Sequence, residues 1–285
     1  MGFMDALLPP EIAQKAEETG ADKARMPAQR LFALAVLAGA FIAFGCIFYA
    51  VALAGASDAM PWGAARVLAG FVFSLGLILV VIGGAELFTG NALMVMALAA
   101  RRIRTADMAR AWAIVYAGNL VGAIGTAVML FLSGQYGFGG GSVGAVYLAA
   151  ANAKIALPLV DAFFLGVLCN VLVCLAVWLT LGAHSTTDKI LAIVFPIAAF
   201  VAAGFEHSVA NMFFLPLALM IQWWAPESFW QMAGIAPAAS GAIDIAGALR
   251  NLATVTLGNI VGGGVLVGAV YWFVYLRQRD SRPGG

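Results

Sequence analysis

The sequence predicts an all-α integral membrane protein: six transmembrane helices arranged as two inverted three-span repeats, with spans 2 and 5 broken. Three observations carry this: the composition, the spacing of apolar runs, and an internal sequence frame that occurs twice. Of 285 residues, 63% are hydrophobic and 10% charged, against about 25% charged in soluble proteins. Lipid-facing helices tolerate such a surface and water-facing ones do not. A net charge of +1 gives no footprint for nucleic acid, so the bilayer is the expected environment.

Apolar runs fall at 31–54, 67–98, 111–133, 159–181, 190–222 and 252–276. A helix needs about 20 residues to cross roughly 30 Å of hydrocarbon. The second and fifth runs are longer than one crossing requires and carry helix breakers and polar residues at mid-run. Gly83-Gly84-Ala85-Glu86-Leu87-Phe88-Thr89-Gly90-Asn91 interrupts one; Gly204-Phe205-Glu206-His207-Ser208-Val209-Ala210-Asn211 interrupts the other, between Pro196 and Pro216. Irregular backbone at membrane depth survives only where protein or a water-filled cavity satisfies it. Both runs are therefore expected to be two half-helices joined by a loop inside the membrane.

The frame Gly84-x-Glu86-x4-Asn91 recurs as Gly204-x-Glu206-x4-Asn211, and Gly118-Asn119-Leu120-Val121-Gly122 recurs as Gly258-Asn259-Ile260-Val261-Gly262. The first spans match only weakly. Three crossings per copy is an odd number, so the second copy enters from the opposite face. Inverted repeats place a substrate path near the midplane, between discontinuous helices.

The chain divides into an N-terminal segment (1–30), a six-span channel domain (31–276) and a C-terminal tail (277–285). With both ends cytoplasmic, twelve of the fifteen Lys and Arg residues lie on the cytoplasmic side, leaving Arg66, Lys154 and Arg250 outside. That bias is the positive-inside pattern. Residues 1–30 mix both charge signs without an apolar stretch, which is not a signal peptide. Pro9-Pro10-Glu11 opens a short polar helix ending near Gly20, read either as a solvated tail or as a cytoplasmic flap over a pore mouth. Cys46, Cys169 and Cys174 sit inside apolar runs and read as buried packing residues.

His207 is the one histidine inside a span; His184 falls in a link and reads as surface. An ionisable group at membrane depth is costly and usually faces a cavity or a partner. His207 is thus either a pore histidine carrying charge or a proton, or a neutral side chain locked by hydrogen bonds. Glu86 and Glu206 occupy matching places. Either they accept backbone N–H groups freed by the breaks, or they relay protons; the structural reading is preferred because His207 has no counterpart in the first copy. Asn91, Asn211 and Ser208 belong to the same break-supporting set. Thr89 either donates to an anion beside His207 or back-bonds within its helix. Phe73, Leu77, Phe88 and Phe200 are core or lipid contacts, or, if they line the path, dry constrictions. Lys154, on the outer side, is a solvated lysine or a group that draws anions to the mouth. The glycine-rich 137–142 stretch has no strand before it and no Lys-Ser/Thr after it, so it is not a phosphate cradle. No zinc spacing and no serine elbow is present. No cofactor, metal or enzymatic activity is expected.

These segments together resemble the formate/nitrite transporter family, and the formate channels within it. The resemblance rests on Gly84-Ala85-Glu86-Leu87-Phe88-Thr89, Gly118–Gly122, Cys169-Asn170-Val171-Leu172-Val173-Cys174-Leu175-Ala176-Val177-Trp178, Gly204–Met212 and Val255–Gly263. It implies an aquaporin-like fold, a homopentamer with one pore per protomer, and a bacterial cytoplasmic membrane. It implies that His207 is the central pore histidine, Thr89 its hydrogen-bonding neighbour, Lys154 a vestibule lysine, and Asn170 and Asn259 supports in neighbouring helices. The four apolar residues then match the constrictions. Gly90-Asn91 after Thr89 resembles the nitrite branch, whereas Gly262-Gly263-Gly264 resembles the formate branch; formate, nitrite and hydrosulfide all stay open as substrates. The expected mechanism has Lys154 gather anions and His207 assist a weak acid across in neutral form, since a bare anion pays a large desolvation cost in a dry constriction. Passive anion conduction is the alternative. A neutral-solute channel of the aquaporin kind is disfavoured, because the paired Asn-Pro-Ala caps are missing.

Overall fold

The computed structural model describes residues 7–235 and 243–277, all of whose regular structure is helical. The chain runs α1 (Pro9–Arg25), α2 (Ala28–Leu53), α3 (Trp62–Gly83, bent at Ser74), α4 (Gly90–Ala99), α5 (Thr105–Leu132), α6 (Ser142–Ala156), α7 (Leu159–Gly182), α8 (Thr186–Ala202), α9 (Ser208–Trp224) and α10 (Ile245–Tyr275). Five of these (α2, α3, α5, α7 and α10) are each long and apolar enough to cross a bilayer. Arg279 and Arg282 of the expected tail lie outside the described residues.

The breaks fall where the sequence placed them, at 84–89 and 203–207; the second joins two arms of 17 residues each, but the arms of the first are unequal. α3 has 22 residues against 10 in α4. α8 lies antiparallel along α3: Ser74 Oγ donates to the Val194 carbonyl near the middle, and Arg66 reaches the Val201 and Ala202 carbonyls near the end. At about 1.5 Å per residue, α8 alone covers most of a hydrocarbon core. The arm before each break, α3 or α8, is thus long enough to carry the chain across most of the core before it turns back. Pro196 and Pro216 lie inside α8 and α9 and do not end them.

The two breaks make matching backbone contacts. Gly84 and Gly204 follow the arms that enter the breaks and lie in the left-handed region, at φ 74° and 77°, where a side chain would be strained. The next amides bond back, Ala85 to Val80 and Phe205 to Phe200. Then Glu86 N–H donates to the Leu34 carbonyl, and Glu206 N–H to that of Leu165. The repeat also includes the short helices that precede spans 1 and 4. α1 and α6 both stop two residues before a proline that caps the next helix, Pro27 and Pro158.

Glycines set the closest helix approaches. Gly118 and Gly122 on α5 face the carbonyls of Phe32 and Val36 on α2, as Gly258 and Gly262 on α10 face those of Phe163 and Val167 on α7. A methyl on either Gly122 or Gly262 would overlap backbone, not a movable side chain, which is the small-residue packing that brings membrane helices together. In α10 the turn widens to a π-helix over Val261–Ala269. Gly263 there lies against Ala92, Asn170 and Cys174, making room for the first break.

α1 is neither a free tail nor a short polar helix ending at Gly20. It runs to Arg25 and buries Ile12, Ala13, Ala16, Gly20, Ala21 and Ala24. It is pinned by Lys15 to the Leu181 carbonyl (2.8 Å), Glu17 to Arg102 (2.9 Å) and Lys23 to Glu86 (2.9 Å). Its polarity in sequence reflects an amphipathic helix, not a solvated one.

Candidate functional site

The site is assembled from the two breaks. Asn119, at the middle of α5, donates through Nδ2 to the Ala35 and Glu86 carbonyls and accepts the Phe88 N–H through Oδ1. Asn259 on α10 does the same for the second break, bonding the Gly166 and Glu206 carbonyls and the Ser208 N–H. Each asparagine thus satisfies one loop amide and one loop carbonyl that no helix can pair, and orphaned backbone at this depth would be expensive. Asn259 is fully engaged with backbone, so its observed part is that of a clamp. The sequence gives Asn119 no role of its own; its identical place in the repeated Gly-Asn-x-Val-Gly frame is the signal for one.

The carboxylates take side-chain partners, which corrects the expectation that they accept freed backbone amides. Glu86 receives Lys23 Nζ and Asn91 Nδ2, both at 2.9 Å. Glu206 receives Lys154 Nζ at 2.8 Å and Asn211 Nδ2 at 2.7 Å. The asparagine clamps have already taken the amides, and a buried carboxylate needs a cation. Lys154 is accordingly no free vestibule charge: its side chain is 14% exposed, paired with Glu206, with Nζ over the Phe214 ring. Lys23, from a segment read as tail or flap, is its counterpart.

At mid-depth the two breaks meet. Thr89 Oγ lies 3.0 Å from His207 Nε2, and both side chains are buried. Ala210 N–H donates to His207 Nδ1 at 3.1 Å, so His207 also caps α9. With Nδ1 accepting, the ring is the neutral tautomer carrying its proton on Nε2, and it donates to Thr89. The threonine hydroxyl keeps its own hydrogen for another acceptor. Asn170, at the midpoint of α7, donates to the Thr89 carbonyl (3.1 Å) and to that of Asn259 (2.6 Å), with Cys174 Sγ also on the Thr89 carbonyl. Ser208 contributes its backbone amide; its hydroxyl is buried with no protein partner.

A cavity of about 880 Å³ leads to this point from the face opposite α1. Its mouth is formed by the links around Ala56, Met60, Gly140 and Ala233, its floor by His207. Phe73 and Phe200 line it, ring to ring at 5.7 Å, and Phe200 stacks on His207 at 5.9 Å. Leu77 and Phe88 do not line it; Leu77 is buried, and Phe88 packs edge-on against Trp112 and Tyr116. Cys46, Cys169 and Cys174 are buried free thiols.

Two discontinuous helices whose breaks meet at a buried histidine and threonine, reached through an apolar, cation-bearing mouth, define a membrane channel or transporter for a small polar solute. The family model for the formate/nitrite transporter matches residues 10–273, and the chain belongs to that family. It is 44% identical over 277 residues to the formate channel FocA of Escherichia coli K12, covering 97% of each chain. It is 41% identical to the formate channel FocA of Haemophilus influenzae, over 92% of this chain and 93% of that one. A solved structure described as a pentameric formate channel with formate bound is similar at a TM-score of 0.81 and 43% identity, covering 88% of this chain and 98% of the other.

Proposed function

We propose that this protein is a formate channel of the cytoplasmic membrane that works as a homopentamer with one pore per protomer, the α1 face being cytoplasmic. The relatives named above support the substrate and the assembly, and the concentration of Lys and Arg on the α1 side supports the orientation. The observation that carries the reading is the Thr89–His207 pair. It offers one imidazole and, hydrogen-bonded to it, one hydroxyl where the passage narrows between Phe73 and Phe200, enough for one small carboxylate or its acid. The walls Phe73 and Phe200 exclude water, so a bare anion meets a large desolvation cost there. Taking up a proton removes most of that cost, and formic acid crosses as a neutral species. In this tautomer His207 gives its N–H to Thr89, and the Thr89 hydroxyl hydrogen is the donor left for the solute. A second proton on His207 would sit on Nδ1 and break the bond that caps α9.

The test is uptake of formate, nitrite, acetate and hydrosulfide into proteoliposomes holding the purified protein, from about pH 4.5 to 8, a range that brackets the ordinary histidine value. Formate uptake that rises with acidity is expected. Uptake indifferent to pH would sink the neutral-species route. Liposomes that swell in glycerol or urea yet take up no formate would overturn the substrate class, and preference for nitrite would reassign the chain within the family.

A further inference from the structure

The mouth of the cavity carries a cation that the sequence offered only as a leftover positive charge. The charged side chains lining it are Lys154, Glu206 and Arg66. Lys154 and Glu206 neutralise each other at 2.8 Å. Among the described residues no carboxylate pairs with Arg66. Its donors go to neutral acceptors: Nη2 to the Val201 carbonyl at 2.5 Å, Nε to the Ala202 carbonyl at 3.3 Å, and Nη1 to the Tyr49 hydroxyl at 2.7 Å. The guanidinium also lies near the Trp62 and Tyr49 rings, 6.0 and 5.8 Å from their centroids. It is held rigid but not discharged.

The carbonyls it binds are the last of α8. A helix C-terminus is the negative end of the backbone dipole, and here that end points into a mouth that has to admit anions. Covering it with a cation reverses the sign of the local field. The first break makes the contrast. The matching carbonyls are Val81 and Ile82, 120 positions earlier, and the position matching Arg66 is Thr186, which carries no charge. The repeat therefore supplies the paired lysine twice but the unpaired cation once, at the mouth facing away from α1.

We propose that Arg66 is the residue that makes this mouth net positive, masking the C-terminus of α8 and holding small anions above His207. It is a positioning residue, acting on the approach and not on the crossing, and the proposal rests on the formate reading above. The other titratable groups facing it across the cavity are Tyr49, Lys154, Glu206 and His207.

The experiment is initial formate uptake by pentamers in proteoliposomes, at two ionic strengths, for wild type, R66Q and R66H. R66Q is expected to raise the KM about three- to ten-fold with the maximal rate within about two-fold, and to lose most of the KM's dependence on salt, as a steering charge should. R66H keeps a ring N–H for the carbonyl cap at every pH and carries charge only in acid. Its KM relative to wild type is expected near unity at pH 5 and several-fold higher at pH 8. If R66Q does not assemble, R66H decides alone. A folded R66Q or R66H whose KM and salt dependence track wild type would overturn the proposal and leave Arg66 a tie between helices. Absence of formate uptake by wild type would instead sink the functional reading.

Discussion

The two breaks are built to one plan and used differently. Each has a left-handed glycine, an asparagine clamp from the third span of its copy, and a carboxylate held by an asparagine five residues on and by a lysine from the short helix before the first span. At the one place where the breaks touch, the symmetry is dropped. The first copy contributes Leu87 and Thr89, the second His207 and Val209. What is repeated holds the break open; what is not repeated is what a solute meets. Symmetry in this chain marks support, and its violation marks chemistry.

The clamps should fail first and alike. Asn119→Leu and Asn259→Leu each leave one loop amide and one loop carbonyl without partners, at about 1–3 kcal/mol per orphaned group. Neither variant is expected to yield folded pentamers by size-exclusion chromatography, and a large difference between them would break the equivalence. Next come the carboxylates. Removing one partner of a buried pair costs about 3–5 kcal/mol. Glu206→Ala should approach that loss, because Lys154 is 14% exposed, while Glu86→Ala should cost less, because Lys23 is 23% exposed and its charge can rehydrate. Thermal melts of the two in one detergent give the order, and the reverse order would refute it.

The unsymmetric residues should behave oppositely. His207→Asn keeps a good N-cap for α9 and loses the Nε2 bond. Pentamer yield should stay near wild type while formate uptake per pentamer falls about ten-fold or more, as expected for loss of a positioned donor in a dry site. Thr89→Val gives the first copy the side chain of its counterpart and leaves a buried N–H unpaired, at about 1–3 kcal/mol. A well-folded His207→Asn with unchanged rate and pH profile would remove the central role from the pair.

The smallest effects belong to the helix caps on the α1 face. The Arg104 side chain and amide hold the Asp107 carboxyl below its usual range, and the Ser185 hydroxyl and amide do so for Asp188. A depressed carboxyl contributes stability above its unfolded value, near pH 4, that is lost as the pH falls through the folded one. Asp107→Asn and Asp188→Asn should flatten the decline of Tm below about pH 4 slightly and leave uptake at neutral pH alone. A change in uptake would mean that these caps reach the breaks.

Much of the plan was readable because it is written in spacing. Two copies of Gly-x-Glu-x4-Asn at the centres of over-long apolar runs give the breaks, their support and the inversion. Thr89 and His207 could be singled out as polar residues where polarity is costly. Lys23 could not, since its partner lies 63 positions away and it sits among charges of both signs. The trace it left is that Lys23 stands four positions before Pro27, as Lys154 stands four before Pro158. The unequal arms of the first break escaped as well, because hydropathy reports that a run is apolar and not where the chain turns back. Arg66 was visible only as a charge on the less basic side; its acceptors are carbonyls, which every sequence has.

The offsets between the copies hold a record of their own. Matching residues stand 131 apart through the short helix and first span (Lys23 and Lys154, Leu34 and Leu165), 120 apart in the breaks (Glu86 and Glu206), and 140 apart in the third spans (Asn119 and Asn259). Length has thus changed in the helices as well as in the links, with 22 residues in α3 against 17 in α8, and 10 in α4 against 17 in α9. The joins at 100–104 and 183–185 stay tight. What the two copies hold in common is therefore the turn at each break and the groups that brace it, while the helices and links that lead there were free to change length.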